Sequence, residues 1–460
     1  MVNQNAHPVV REITERYLSR TSQSRRHLEA AKQWLPGGET RQASFYKPYP
    51  TIMTQGERCY LYDCDGHSYM DFQNNYTSLI HGHCHPAIVS AASAQLKKGA
   101  VLGTATELQY LHAAHLCKRI PSLEMVRYCN CGTEATLFAL RASRAFTGRH
   151  AILKMDGGYH GGHEFVQVNY NPNLNSEDST DKFADPWIPK GVFYDVFIVP
   201  FNDLKIAEDI IQKHRQRLAA VIVEPSLGAG GQIGPGPGYL KGLRELTAEC
   251  GVLLIFDEIM SFRHHVGGMQ ASEGVEPDLT ALGKIIGGGF PVGAFGGRAE
   301  IMDLFNPDHA QSIFHSGTFS GNSVTMAAGL TALELYDHGS VEQLNSLADK
   351  LKQGFRDAFQ RIGIKGQITG CGSVFNVHWV EREPQNAKDT AKASRSAGPL
   401  PALFHLEMMN RGIHIAPRGM FALSTPMTEN EVNTAIKIFE DTLKYLKPFV
   451  EDQLPQLLQG

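Results

Sequence analysis

A lysine set before a run of glycines is the first residue that suggests chemistry. In Pro277-Asp278-Leu279-Thr280-Ala281-Leu282-Gly283-Lys284-Ile285-Ile286-Gly287-Gly288-Gly289 the amine of Lys284 precedes three residues of little bulk and free backbone, which lets a ligand approach closely. Such an amine can form covalent adducts with carbonyls. A surface lysine beside a glycine hinge has the same letters, so its companions matter. Asp257 ends the apolar run Val252-Leu253-Leu254-Ile255-Phe256. A carboxylate at the end of a buried strand needs a cationic or protonated partner. A protonated ring nitrogen is one such partner, and the pairing makes the ring an electron sink; an aspartate that caps a helix or meets an arginine is the plainer alternative. Asn130-Cys131-Gly132-Thr133-Glu134-Ala135 opens a helix whose free N–H groups and threonine suit a phosphate, although Thr133 also fits an ordinary N-cap. Gly157-Gly158-Tyr159-His160-Gly161 frames an aromatic able to cover a flat ring, and His315-Ser316-Gly317-Thr318-Phe319 again sets a hydroxyl beside glycine. Each fragment alone is weak; five together describe a site for a flat, phosphate-bearing ring.

Elements must bring these residues together. Residues 1–40 read as one helix, Val9 to Trp34, closing at Pro36-Gly37-Gly38. Strand patterns follow around Thr51-Ile52-Met53 and Tyr60-Leu61-Tyr62-Asp63, and Asp65-Gly66 turns the latter into a hairpin with Tyr69-Met70-Asp71-Phe72. From about 76 to 330, helical segments such as Glu134 to Phe146 alternate with apolar runs: Ala151-Ile152-Leu153, Val196-Phe197-Ile198-Val199, Ala219 to Val223, and Val252 to Phe256. Runs of this kind predict strands buried on both faces of a mostly parallel sheet, with ligands at their carboxyl ends. The expected organisation is α/β: an amino-terminal segment 1–75, a large ligand-binding domain 76–330, and a smaller domain 331–460 to which the first segment contributes. Asn169 to Lys190 reads as a polar excursion near the site or an interface, and Glu381 to Pro399 as a mobile loop of low hydrophobicity.

Composition narrows the function classes. A chain of 460 residues favours two domains, and 42% hydrophobic with 20% charged residues is ordinary for a soluble enzyme. A net charge of -4 argues against a nucleic-acid binder or a polybasic membrane protein. No stretch approaches the ~18 consecutive apolar residues of a membrane span, and the amino terminus lacks the apolar core of a signal peptide. The eight cysteines, without paired spacing, are expected as reduced thiols in the cytoplasm. Cys129-Asn130-Cys131 has no second pair to complete a zinc site, and no metal is expected.

On the stretch from Phe256-Asp257-Glu258-Ile259-Met260 through Lys284, joined to the other four fragments, the chain resembles the class III aminotransferases over nearly its whole length. These belong to the fold-type I enzymes that depend on pyridoxal phosphate (PLP). The resemblance implies that Lys284 carries the cofactor and later moves the proton between carbon centres, while Asp257 holds the ring nitrogen. It further implies Ile259 behind the ring, Tyr159 on its other face, Gly132 and Thr133 at the phosphate, and Glu224 also at the cofactor. Thr318 would reach the phosphate of a neighbouring subunit, which implies a homodimer with sites at the interface. Cys131 departs from the family's usual serine, so one phosphate hydrogen bond is in doubt, and Ser261-Phe262-Arg263 is altered. His81-Gly82-His83-Cys84-His85-Pro86 looks like a metal cluster, but in this family the segment is a turn leading into a helix.

Within the family the chain is similar to glutamate-1-semialdehyde aminomutases and beta-phenylalanine aminotransferases, at Gly37-Gly38-Glu39-Thr40-Arg41 and at Gly283 to Arg298. Arg41 reads as a carboxylate binder, since its planar fork suits bidentate pairing; a surface arginine is the plainer reading. Ile415-Ala416-Pro417-Arg418-Gly419-Met420-Phe421 looks more like the beta-amino-acid enzyme, the mutase having no arginine at the place of Arg418. Phe45, Tyr46 and Tyr76 read as aromatics near an entrance that would favour a hydrophobic side chain, or equally as core. The expected function is transfer of an amino group from a beta-amino acid, aromatic or hydrophobic, to an alpha-keto acid such as 2-oxoglutarate. A mutase, or a racemase or epimerase on the same scaffold, remains open, as does a non-catalytic PLP-binding protein.

Overall fold

The structure, a computed structural model, describes residues 7–459. The chain forms two compact units: 1–85 with 343–383 and 392–460, and 86–342 with 384–391. The boundaries fall later than the expected 76 and 331. His83 explains the first of these shifts, because its backbone bridges Arg58 and its ring meets Asp71, both in the first unit.

In the second unit seven strands form one sheet in the order 125–129, 293–297, 279–283, 253–257, 218–223, 151–155, 196–199. The last five run parallel, and strand Gly293–Gly297 is antiparallel to both of its neighbours. Leu218–Val223 and Leu253–Asp257 are buried at every residue, as expected of a sheet covered on both faces. Helix Gly132–Thr147 packs Ala135, Ala139, Leu140 and Ala142 beside Ile222, Ile255, Ala281 and Phe295. The strands Met125–Cys129, Leu279–Gly283 and Gly293–Gly297 are not visible as apolar runs in the sequence. The last of these carries three glycines because its neighbours come too close for side chains. A Cβ at Gly293 would lie 2.1 Å from the Cys131 carbonyl oxygen, and one at Gly296 would lie 2.3 Å from that of Met125.

The first unit combines the expected hairpin, Tyr60–Asp63 with Ser68–Asp71, with strands Met53–Glu57 and Ile413–His414. Its aromatic core stacks Phe355 on Phe439, centroids 3.8 Å apart, and Phe375 on Phe421 at 5.1 Å. Two expectations are corrected. The single amino-terminal helix is two, Pro8–Arg20 and Ser22–Ala31. The break is at Thr21, whose hydroxyl donates to the Tyr17 carbonyl at 2.7 Å and lies 3.1 Å from the Tyr49 hydroxyl. The region 381–399 is not a loop throughout, for it contains helix Ala387–Ser396. Its apolar face is made only of small residues, Ala387, Ala393 and the following Ala397, all buried, which keeps hydrophobicity low while still giving the helix something to pack.

Several buried histidines set the response to acid. Burial pushes His112 and His163 down to about 4 and His405 down to about 3. Each folded value lies below that of an unfolded histidine, so the unfolded chain takes up protons first as pH falls. Stability is therefore expected to decline from about pH 6.5 toward pH 4. A thermal midpoint that stays level between pH 7 and pH 5 contradicts this.

Candidate active site

Four parallel strands of the second unit end at one edge of the sheet and deliver the polar residues there. Strand Leu253–Asp257 delivers Asp257, strand Leu218–Val223 leads into Glu224, strand Leu279–Gly283 into Lys284, and strand Ala151–Met155 into the Gly157–Gly161 loop. This is where open α/β sheets bind ligands. Asp257 is 3% exposed; its Oδ2 lies 2.8 Å from Nδ1 of His160, and its Oδ1 accepts the Ile259 amide at 3.2 Å. His160 is itself buried, and its Nε2 has no hydrogen-bond partner among the described residues. Glu224 accepts the Tyr159 amide on Oε1 and the Gly228 amide on Oε2, both at 3.0 Å. Burial pushes the Glu224 carboxyl up, against His160 and the two amides, while the charge of Asp257 adds to the rise. Lys284 begins the turn Lys284–Gly287 with φ of 51°, a left-handed conformation that a residue with a side chain adopts only under constraint.

Glycines shape the space beside these groups. A Cβ on Gly132 would stand 2.5 Å from Cδ1 of Ile259, so the glycine makes room for the isoleucine. Gly161, with φ of 105°, would place a Cβ 2.6 Å from Oγ1 of Thr133. Thr133 is not the N-cap: that position is Cys131, no side chain caps the helix, and the Thr133 hydroxyl accepts the Gly162 amide at 3.2 Å. The 16-residue helix Gly132–Thr147 thus presents amides that no side chain caps. Tyr159 is 45% exposed, with Tyr170 edge-on at 5.2 Å. Thr318 lies in an exposed turn between Phe314 and Phe319, which are 83% and 59% exposed. Its neighbour Gly317 sits against Asn130, where a Cβ would be 3.3 Å from Nδ2. An orphaned buried imidazole nitrogen, a buried carboxylate at a strand end and a glycine-lined, uncapped helix start suit PLP, a flat ring with a phosphate and a protonatable nitrogen.

Arg41 and Arg418 belong to the first unit. Both guanidinium carbons lie over the ring of Tyr76, at 5.6 and 5.8 Å from its centroid. Tyr76 sits in a run of four left-handed residues, Asn74 to Thr77, with φ of 49°, 48°, 53° and 75°. Such a backbone costs about 1–2 kcal/mol per residue, and strain of this kind marks segments the surroundings hold in place. Arg41 donates to the Asn75 side chain, and the Tyr76 hydroxyl donates to the Ala43 carbonyl. Nε of Arg418 is buried without a hydrogen-bond partner among the described residues.

No role for His160 follows from the sequence reading, although its letter stands in the Gly157–Gly161 motif; a histidine between glycines after a buried strand is the available signal. Tyr76, read from sequence only as an aromatic near an entrance or in the core, proves to be the ring beneath both arginines. Within segment 81–86, His83 is engaged elsewhere: its Nε2 is 2.8 Å from one oxygen of Asp71, whose other oxygen lies 3.1 Å from Nδ1 of His414. Burial works to raise Asp71, but the two imidazoles outweigh it and hold the carboxyl well below the usual range. Among the described residues no group of three or more His, Cys, Asp or Glu is arranged to hold a metal ion.

The Gly161 geometry yields a prediction. Gly161→Ala forces an unfavourable φ and a contact with Thr133, and is expected to weaken binding of the phosphate-bearing cofactor by about tenfold or more. Equilibrium titration of the apoprotein measures this, and an unchanged dissociation constant contradicts it.

Comparison with known proteins places the whole architecture. The class-III aminotransferase family matches residues 42–443. A glutamate-1-semialdehyde 2,1-aminomutase of Methanocaldococcus jannaschii is 35% identical over 92% of this chain and 98% of its own. The beta-phenylalanine transaminase of Variovorax paradoxus is 36% identical over 91% of this chain and 92% of its own. The crystal structure of an omega-transaminase from Sphaerobacter thermophilus is similar with a TM-score of 0.88 and 40% identity, covering 92% of this chain and 98% of that one. With its buried strand-end carboxylate, lysine turn and glycine-lined helix start, the chain belongs to the class-III aminotransferases and is a PLP-dependent enzyme.

Proposed function

We propose that this enzyme transfers an amino group from a beta-amino acid with an aromatic or hydrophobic side chain to an alpha-keto acid such as 2-oxoglutarate. The observation that carries the reading is the pair Arg41 and Arg418 over one tyrosine ring. A transaminase meets two different anionic substrates in turn, and two guanidiniums on a shared aromatic support give it two carboxylate readers. When bound, PLP supplies a covalent handle for amino groups and an electron sink. In this reading Lys284 would carry the cofactor, and its amine would take the proton from the donor's amine-bearing carbon and deliver it to the carbon on the other side of the nitrogen. Asp257, oriented by His160, holds the ring nitrogen. Ile259 packs behind the ring and Tyr159, anchored through its amide by Glu224, covers the other face. The amides of Gly132 and Thr133 hold the phosphate. The donor leaves as a keto acid and the acceptor as an amino acid, with oxygen entering and leaving as water.

The exposed Phe314 and Phe319 flanking Thr318 support a homodimer in which Thr318 reaches the partner's phosphate. The eight cysteines, none joined in a disulfide among the described residues, support a cytoplasmic protein, and among the described residues no helix is long and apolar enough to cross a membrane.

A mutase is the second reading, because mutases and the beta-phenylalanine transaminase match this chain at similar identity. Titrating the PLP-loaded enzyme with beta-phenylalanine, without keto acid, separates the two. The cofactor's visible band is expected to convert to that of its aminated form and to return on addition of 2-oxoglutarate. A band that ignores beta-amino acids but shifts with glutamate-1-semialdehyde selects the mutase. Arg41→Ala and Arg418→Ala are each expected to raise a substrate KM about 10- to 100-fold, as loss of a charged bidentate contact implies. Unchanged KM values for donor and acceptor in both variants remove the arginine argument.

A further inference from the structure

One fully buried histidine takes no part in the strand-end cluster. His112 lies on helix Glu107–Arg119 and is 0% exposed. Its Nδ1 is 2.7 Å from the Tyr128 hydroxyl and its Nε2 is 2.8 Å from the Ile286 carbonyl oxygen. A carbonyl can only accept, so Nε2 bears the proton, and Nδ1 accepts from Tyr128. Burial pushes the imidazole down to about 4, which keeps the ring neutral near physiological pH. The Ile286 carbonyl thereby fixes the tautomer, and the Tyr128 hydroxyl donates to the ring nitrogen left as acceptor.

Ile286 belongs to the turn Lys284–Gly287, whose first residue holds φ of 51°. Within and after that turn the Gly288 amide donates to Ile285 at 3.3 Å and the Phe290 amide to Gly287 at 3.0 Å. The Ile286 carbonyl instead points to His112. Helix Ser323–Leu335 closes on the same atoms: a Cβ at Gly329 would lie 2.1 Å from the Ile286 oxygen and 2.8 Å from Nε2 of His112. A Cβ at Gly288 would lie 2.4 Å from the Ala328 oxygen. The turn is therefore seated against a helix with no spare space, and its buried carbonyl has a donor supplied from a second helix.

We propose that His112, its second ring nitrogen satisfied by Tyr128, is a positioning residue for the reaction: its Nε2–H clamps the Ile286 carbonyl and so holds the turn on which Lys284 keeps its left-handed backbone. This rests on the reading that Lys284 carries the cofactor. A group that holds the lysine to within an ångström affects the proton transfers at its amine more than it affects substrate binding. His112→Leu removes the donor, His112→Gln keeps an N–H at the place of Nε2, and Tyr128→Phe removes the hydrogen bond that steadies Nδ1.

The test uses the PLP-loaded enzyme and follows two quantities: the pH midpoint of its visible absorption band, and kcat separately from KM. His112→Leu is expected to move the midpoint by about half a unit or more and to lower kcat about 10- to 100-fold, with KM within about threefold. Tyr128→Phe is expected to fall between it and the parent, and His112→Gln to restore both quantities to within about threefold. A merely structural role lowers the melting temperature of His112→Leu and leaves the midpoint and kcat of the folded fraction alone, which overturns the clamp. Should His112→Leu fail to fold, Tyr128→Phe decides in the same way. Lys284→Ala is the control: if it keeps the pH-dependent band, the reading of Lys284 falls and the clamp with it. If it loses the band while His112→Leu and Tyr128→Phe leave the midpoint unmoved, only the clamp falls.

Discussion

A carboxylate buried at the end of a strand with no exposed residue is the constraint from which the second unit is organised. Asp257 leaves water behind, so its oxygens must be met by donors, and the chain supplies an imidazole and a backbone amide. His160 can reach it only if the loop after strand Ala151–Met155 turns sharply, and glycines at 157 and 161 with positive φ make that turn. Glu224, a second buried carboxylate nearby, is satisfied by amides of the same loop and of Gly228. The loop, the two carboxylates and the strand ends are thus tied to one another before any ligand is considered.

Lysine chemistry adds a second constraint. Under the proposed function the Lys284 amine moves between the cofactor and a substrate carbon and needs a fixed base; its backbone is left-handed and its turn is seated against helix Ser323–Leu335. The first unit has its own strained segment in the left-handed run Asn74 to Thr77, which presents Tyr76 to two guanidiniums. Mutase and transaminase relatives match the chain about equally well, so overall likeness does not choose between the reactions. Under the proposed function, that choice lies with the carboxylate readers of the first unit.

Much of this was legible in the sequence, for identifiable reasons. Parallel strands buried on both faces, such as Leu218–Val223 and Leu253–Asp257, announce themselves as apolar runs, and the polar residue that ends each run marks the ligand edge. The strand Gly293–Gly297 is hidden because crowding by its neighbours selects glycine, which reads as loop. Helix Ala387–Ser396 is hidden because alanines alone form its buried face. Pairings across long sequence distances, His160 with Asp257 or His112 with Ile286, leave no local trace. The same holds for the left-handed turn at Tyr76, which favours glycine or asparagine and carries a bulky aromatic instead.

Everything proposed for the reaction depends on Lys284, and no other lysine, carrying the cofactor. Borohydride reduction of the PLP-loaded enzyme, followed by proteolysis and mass spectrometry of the peptides, tests this without reference to any substrate. The expected result is a single pyridoxyl-phosphate adduct on the peptide containing Lys284. An adduct on Lys154, which is fully buried in strand Ala151–Met155, or a cofactor that washes out unreduced, contradicts it.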